Sequence, residues 1–401
     1  MLTLEEAQAQ LLRLIEPLPI ERVDVPGALG RYLAEPLLAR RTQPAHDVSA
    51  MDGYAVSEGD ISGPWHVVGE SAAGHPYDAA VTPGQAVRIS TGALLPVGAG
   101  GVILQEDVSR DQHRVTLTGE GPSPLHKHVR RQGMDFPEGQ EILPSGTRIG
   151  AAQAALAIAA GHRHLPVRRI PRLVVIDSGD ELAADPECCE PHQIPASNGA
   201  MLAAMAQSLP VEVNRIGPVS DNLDALIHAF ESAGDADIIV TSGGVSVGDH
   251  DLVRPALEAW GADLDFWRVA IRPGKPLLVA RKTHGARQQI VIGLPGNPVS
   301  SHVTAYHFML PALRALLGAN RPAPMPLLSR LATQLPPCGN RREFLRGLWD
   351  GETVAVHTLQ DSGALVSLAT SNILIDRPAN APAAQPGDPV WVYLLQNGGI
   401  A

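Results

Sequence analysis

One stretch constrains this chain more than any other: Asp237-Ile-Ile-Val-Thr-Ser-Gly-Gly-Val-Ser-Val-Gly-Asp-His-Asp251, where a branched apolar run ends in a glycine-rich turn and then in two aspartates. Val and Ile suit a buried strand. Gly243, Gly244 and Gly248 permit positive φ and bring backbone N–H groups, with the Ser242 and Ser246 hydroxyls beside them, close to a phosphate oxygen. Asp249 and Asp251 then open a helix from Leu252 to Trp260, where a carboxylate either caps orphan N–H groups or holds a divalent cation against the phosphate. A strand, a turn and a capped helix need only the cap, so the ligand reading depends on the rest of the chain.

A second segment of the same design favours it. Gln289 to Ser301 is an apolar run followed by Gly293, Pro295, Gly296, Asn297 and Pro298, then a helix to about Leu317. Pro298 fits the first helical turn and Asn297 the N-cap, and the free N–H groups beyond them favour an anion. Two such turns in one domain make a crevice at the carboxyl ends of a parallel sheet the economical reading. Between them Phe266 to Pro276 gathers Arg268, Arg272 and Lys275 within eight residues, a local reversal in a chain of net charge −11. A solvated basic strand would account for them, but so would an anionic ligand.

At 401 residues, with 44% hydrophobic content, the chain has material for about two to four domains. No apolar run approaches the ~20 residues of a spanning helix, and the start lacks the regions of a signal peptide, so a cytoplasmic protein without membrane contact is expected. Acidic residues outnumber basic ones, 42 to 31, which argues against nucleic-acid binding. Cys188, Cys189 and Cys338 have neither disulfide-framework nor zinc spacing and read as incidental thiols.

In chain order, residues 3 to 16 carry a capping box, Thr3 with Glu6, and helical apolar spacing; the alanine-rich helix between Gly150 and Gly161 is the expected packing partner. The segment between them reads as an inserted β-domain of short Val/Ile runs near residues 65–69, 86–90, 102–105 and 115–117. Residues 172 to 320 alternate strands and helices, as a doubly wound domain does, with Asp180 and Glu181 at a strand's carboxyl end and Asp221 as the N-cap of a helix to Ser232. Beyond Pro322 the pattern is that of a small β-domain.

Seven motifs in order, SAMDGYAV from Ser49, RISTGA from Arg88, RRQGMD from Arg130, SGDEL from Ser178, TSGGVSVGDHD from Thr241, RPGKP from Arg272 and LPGNPVS from Leu294, resemble those of the molybdopterin molybdenumtransferase family. The resemblance covers nearly the whole chain. It implies a multidomain α/β plus β fold: a helical part in two halves, residues 1–43 and 136–170, around an inserted β-domain at 44–135, a doubly wound molybdopterin-binding α/β domain at 171–320, and a C-terminal β-barrel-like domain at 321–401. It also implies a homodimer whose cleft joins the α/β domain of one subunit to the insert of the other. Contact with the adenylylating enzyme and with recipient molybdoenzymes is a further expectation of the same kind.

The implied reaction converts adenylylated molybdopterin and molybdate into molybdenum cofactor and AMP, with a divalent cation, usually Mg²⁺. Carried onto this chain, the family's functional groups match Asp52, Thr91, Asp135, Glu181, Asp221 and Asp251, and more loosely Ser362 and one arginine of the C-terminal part among Arg341, Arg342 and Arg346. Hard oxygen ligands for Mg²⁺ would come from Asp251 with Asp249 or Glu181, opposite a pyrophosphate held by Ser242 to Gly248. Arg268, Arg272 and Lys275 suit molybdate and the pterin phosphate. Asp177 stands where many family members have a small hydroxyl residue. Two other readings remain: the adenylylating step itself, whose α/β domain is similar, and a molybdopterin-binding scaffold without turnover.

Overall fold

The computed structural model describes residues 1–245, 252–285 and 287–395. A six-stranded sheet runs Glu212–Val219, Arg172–Ser178, Ile238–Ser242, Arg287–Leu294, Leu278–His284, Asp263–Trp267 in space. The first four strands run parallel, Leu278–His284 runs antiparallel to them, and Asp263–Trp267 pairs antiparallel with it and so runs with the first four. Their side chains alternate between two cores, as a period of two requires. Leu173, Val175, Ile238, Val240, Ile290 and Ile292 enter one; Val174, Ile176, Ile239 and Val291 enter the other. Helices Asn198–Ala206 and Pro298–Thr304, the latter continuing through Ala305–Met309 to Leu310–Leu316, cover the first face; Leu223–Ser232 and Val253–Trp260 cover the second. The domain is therefore doubly wound, as its strand and helix alternation predicts.

The first helix, Leu4–Arg13, has the predicted capping box: Glu6 N–H donates to Thr3 Oγ1 at 3.2 Å and Thr3 N–H to Glu6 Oε2 at 2.8 Å. Its packing partner differs from the expectation. Leu4, Ala7 and Leu11 join the core that contains Phe308, Leu313 and Leu316, whereas the helix Ala151–Ala159 belongs to separate small clusters. An alanine face offers little apolar area, and a leucine stripe gains more against the large residues of the 298–316 helix. The two flanks of the insert meet instead through strands, Ile20–Asp24 with His164–Arg168 and Leu37–Leu38 with Glu141–Leu143. A second correction concerns the helix Leu223–Ser232. Its N-cap is Asn222, whose Oδ1 accepts from Ala225 N–H at 2.8 Å, while Asp221 N–H donates to Asp180 Oδ1 at 3.1 Å.

The insert is a six-stranded sheet, in the spatial order Ala99–Leu104, Gly53–Ser57, Gln85–Ile89, Trp65–Ser71, Arg114–Leu117, Val108–Asp111. Its two apolar clusters draw only on residues from Tyr54 to Val129. Gly53 is required at its first position, because a Cβ there would lie 2.0 Å from Ile103 O. At the other end of the chain Leu327–Leu331, Arg342–Trp349, Thr353–Val356, Ile373–Arg377 and Pro389–Leu394 close on themselves as a five-stranded barrel, the closing pair being Arg342–Trp349 with Ile373–Arg377. Closure leaves these strands without an open edge, except where Ile271–Arg272 of the α/β unit adds to Arg342 and Glu343.

Asp237 fixes the start of the central strand. It is 4% exposed, accepts from Arg169 Nη2 at 2.8 Å and Nη1 at 3.1 Å, and accepts from Arg172 N–H at 2.8 Å. Asp237→Ala should therefore lower the unfolding free energy by about 3 kcal/mol, since the remaining cation and N–H lose a buried partner. Urea titration would register this as a lower midpoint at unchanged slope; a shift below about 1 kcal/mol would mean that solvent replaces the carboxylate.

Candidate active-site crevice

The carboxyl ends of three adjacent parallel strands, at Ser178, Ser242 and Leu294, carry the turns singled out in the sequence. Gly243 N–H donates to Leu294 O at 3.1 Å, which sets the two glycine turns side by side. Gly243 and Gly244 have φ of 101° and 64°, and added Cβ atoms would meet Ser178 O at 2.6 Å and Val253 Cγ2 at 2.4 Å. Only glycine satisfies both conditions. Asn198, first residue of its helix, clamps the turns together: its Nδ2 donates to Ser242 Oγ at 2.9 Å and to Gly296 O at 2.6 Å.

Polar atoms without partners collect at this end of the sheet. Asp177 Oδ1, Ser178 Oγ, Asn198 Oδ1 and Thr241 Oγ1 are all buried and have no hydrogen-bond partner among the described residues. Buried polar atoms are normally paired, so four in one region make this end of the sheet a candidate site for a polar ligand. Asp177 is the most demanding of them. It is 3% exposed, Arg215 Nη2 lies 3.4 Å from Oδ2, and a Cβ on Gly199 would lie 2.0 Å from that oxygen. Burial pushes its carboxyl above the usual carboxylate range, against the opposing pull of Arg215 and the Gly199 N–H. Asn198 and Ser178 were not singled out as ligand groups from the sequence; the signal available was their place, one opening the helix after the first strand and the other ending that strand.

Of the residues expected to bind substrate, Ser242, Gly243, Gly244, Pro295, Gly296 and Asn297 come together here. Asn297 occupies the N-cap position with no side-chain cap bond, and the Val299 N–H expected to be free donates to Ser362 O at 3.0 Å. A loop of the barrel domain thus reaches the helix N-terminus and brings Ser362 to the crevice. Arg346 goes elsewhere. Fully buried, it donates from Nη2 to Leu359 O at 2.9 Å, and its backbone N–H and C=O are both bonded by the Gln360 side chain, so it braces the loop from within.

The three cations do not share a strand. Arg268, with φ of 93°, lies beyond the strand Asp263–Trp267; Arg272 sits at the barrel edge, where its Nη1 donates to Glu343 Oε1 at 3.0 Å. Lys275 lies in a turn held against the 298–304 helix, since a Cβ on Gly274 would stand 2.5 Å from Thr304 Cγ2. Their separation follows from Ile271–Arg272 pairing with the barrel rather than extending the sheet. Glu181 is exposed and folds back over Gly179, where an added Cβ would meet its Oε2 at 2.5 Å. Ser246, Gly248, Asp249 and Asp251 lie outside the described residues. Among the described residues no three His, Cys, Asp or Glu side chains converge to hold a metal.

A second polar cluster belongs to the insert. Asp52 Oδ1 accepts from Thr91 N–H at 2.7 Å and Thr91 Oγ1 at 3.1 Å, and these bonds hold its carboxyl below the usual range. Arg88 stands next to it, donating to Gln105 Oε1 at 2.7 Å with its guanidinium over the Tyr54 ring. Asp135 is exposed at the edge of the same unit, its N–H bonded to Gln43 O at 3.1 Å.

Three family descriptions match successive parts of the chain: "MoeA N-terminal region (domain I and II)" over residues 2–161, "Probable molybdopterin binding domain" over 174–315 and "MoeA C-terminal region (domain IV)" over 329–395. The molybdopterin molybdenumtransferase of a Nostoc species is 36% identical over 391 residues, which span 94% of this chain and 88% of that one. The chain belongs to the molybdopterin molybdenumtransferase family. The family's Haemophilus influenzae member is 34% identical over 87% of this chain and 86% of its own. The crystal structure of the molybdopterin biosynthesis moeA protein from Pyrococcus horikoshii OT3 superposes with a TM-score of 0.84 at 26% identity, covering 98% of this chain and 100% of that one. The crevice described above lies within the part matched by the molybdopterin-binding description.

Within this family framework Asp177 has a measurable signature. Its folded carboxyl is raised above the unfolded value of 3.8, so its contribution is most favourable below that pH and is lost as pH rises through the raised value. Asp177→Asn should accordingly be more stable than the parent at pH 7, with the advantage disappearing below about pH 3.8 in urea titrations. A variant less stable at pH 7 would show that the Arg215 and Gly199 contacts outweigh burial.

Proposed function

We propose that this protein inserts molybdenum from molybdate into adenylylated molybdopterin, releasing AMP and molybdenum cofactor. The observation that carries the reading is the set of unpartnered buried polar atoms at the strand ends, beside two glycine turns, in a chain of this family. Cleavage of a phosphoanhydride needs its phosphate oxygens neutralised and oriented more than it needs a protein nucleophile. The backbone N–H groups of the glycine turns and the hydroxyls of Ser178, Thr241 and Ser242 can orient those oxygens, and Lys275 with Ser362 is suited to a tetrahedral oxyanion such as molybdate. Glu181 is the one described residue of the ligand set expected for Mg²⁺. When bound there, the cation would supply charge neutralisation on phosphate.

The same reading takes the working form as a homodimer. Asp52, Thr91 and Asp135 belong to a unit whose cores share no residue with the α/β domain, and a second copy would bring that unit to the crevice. Contacts with the enzyme that supplies adenylylated substrate and with recipient molybdoenzymes belong to the same proposal, as does a cytoplasmic location. Among the described residues no helix is long and apolar enough to cross a membrane.

AMP release from adenylylated molybdopterin, dependent on molybdate and Mg²⁺ and accompanied by active cofactor, is the expected result with purified protein. Release of no AMP by folded protein would favour a binding role instead. Shared sites make a second prediction. Asp52→Ala and Glu181→Ala should each lose on the order of 10²-fold in rate, and subunits mixed in equal amounts should recover about a quarter of parental activity, since half of random dimers hold one intact site. No recovery, with subunit exchange verified, would place both residues in a cleft built by one chain.

A further inference from the structure

Behind the crevice, the helix beginning at Asn198 and the helix beginning at Pro298 enclose, with the end of the last barrel strand, a cavity of about 260 Å³. Its walls are mostly apolar, with Met201 and Met205 from one helix, Leu310 from the other and Leu394 from the barrel. Three polar side chains interrupt them. His302 is 6% exposed and its Nδ1 has no hydrogen-bond partner. Tyr306 donates its hydroxyl to Leu394 O at 3.0 Å, joining the α/β unit to the barrel. Arg314 donates from Nη1 to Pro322 O at 3.1 Å, and among the described residues no carboxylate lines the cavity to balance its charge.

His302, Tyr306, Leu310 and Arg314 recur every fourth residue. In a regular α-helix that spacing drifts around the axis, because a turn takes 3.6 residues. The π-helical segment Ala305–Met309 has more residues per turn and offsets the drift, so all four positions reach one cavity. Such bulges recur at functional sites, and mostly apolar walls with a few converging polar groups are the usual composition of a small-molecule pocket.

We propose that this cavity binds a small organic carboxylate with an apolar tail, its carboxylate on Arg314 and His302 and its tail between Met201, Met205 and Leu310. A guanidinium fork matches the two oxygens of a carboxylate, and the His302 imidazole, whose ring lines the cavity, offers a further polar contact. A phosphate group would bring more charge than one cation and a neutral histidine balance; burial lowers the His302 pKa to about 4. The site is distinct from the crevice proposed for molybdopterin and does not depend on that assignment.

The test uses the full-length protein labelled with ¹³C at its methionine methyl groups, with octanoate as ligand and 1-octanol and octylamine as comparators. Met201→Leu and Met205→Leu assign the two signals. Octanoate should shift both saturably with a dissociation constant on the order of 1 mM, which about ten non-hydrogen atoms support. Octylamine should shift neither, and Arg314→Gln should weaken octanoate by about tenfold or more while the remaining methionine signals report an intact fold. Leu310→Trp, which fills the cavity and keeps the arginine, should abolish the shifts. Absence of any shift with the parent protein overturns the proposal, as does octanol binding as tightly as octanoate with no effect of Arg314→Gln.

Discussion

The structure depends on one strand being hydrogen-bonded in parallel on both sides. Ile238–Ser242 lies between Arg172–Ser178 and Arg287–Leu294, and this pairing brings three strand ends, and hence three loops, to one place. Parallel strands reach it only through crossover helices, which cover both faces and leave the carboxyl edge as the open side. The glycine turns and the unpartnered polar atoms of the α/β domain gather at that edge.

The glycine turns follow from that pairing. Gly243 is bonded to Leu294 on one side, and a side chain there would collide with Ser178 of the neighbouring strand, while one at Gly244 would collide with Val253 of the following helix. Backbone N–H groups take the space that side chains cannot. The Asn198 amide then spans from one loop to the other, so the cradle is held by a helix as well as by the sheet.

The barrel takes part at a distance. A two-residue strand, Ile271–Arg272, joins its edge, and the loop carrying Ser362 rests on the first turn of the helix from Pro298. Arg346 supports that loop from inside the barrel domain by donating to the Leu359 carbonyl, and the cost of burying its guanidinium is opposed by the charge of Asp361. A residue that from the sequence looked like a ligand contact thereby becomes part of the loop's foundation.

Much of this was legible in the sequence because the signals are local. Alternation of branched apolar residues marked the strands, Thr3 with Glu6 marked a helix start, and paired glycines marked turns that need positive φ; each depends on neighbours a few residues away. The motif order likewise pointed to the family. What tertiary structure decided was which surfaces met. The leucine stripe of Leu4–Arg13 chose the large apolar face of the 298–316 helix over a nearer alanine face, Arg272 joined the barrel rather than the sheet, and Arg346 turned inward. Such outcomes depend on matching areas and partners that lie 13 residues apart for Arg346 and Leu359, 71 apart for Arg272 and Glu343, and in different domains for the first helix, so local periodicity does not report them.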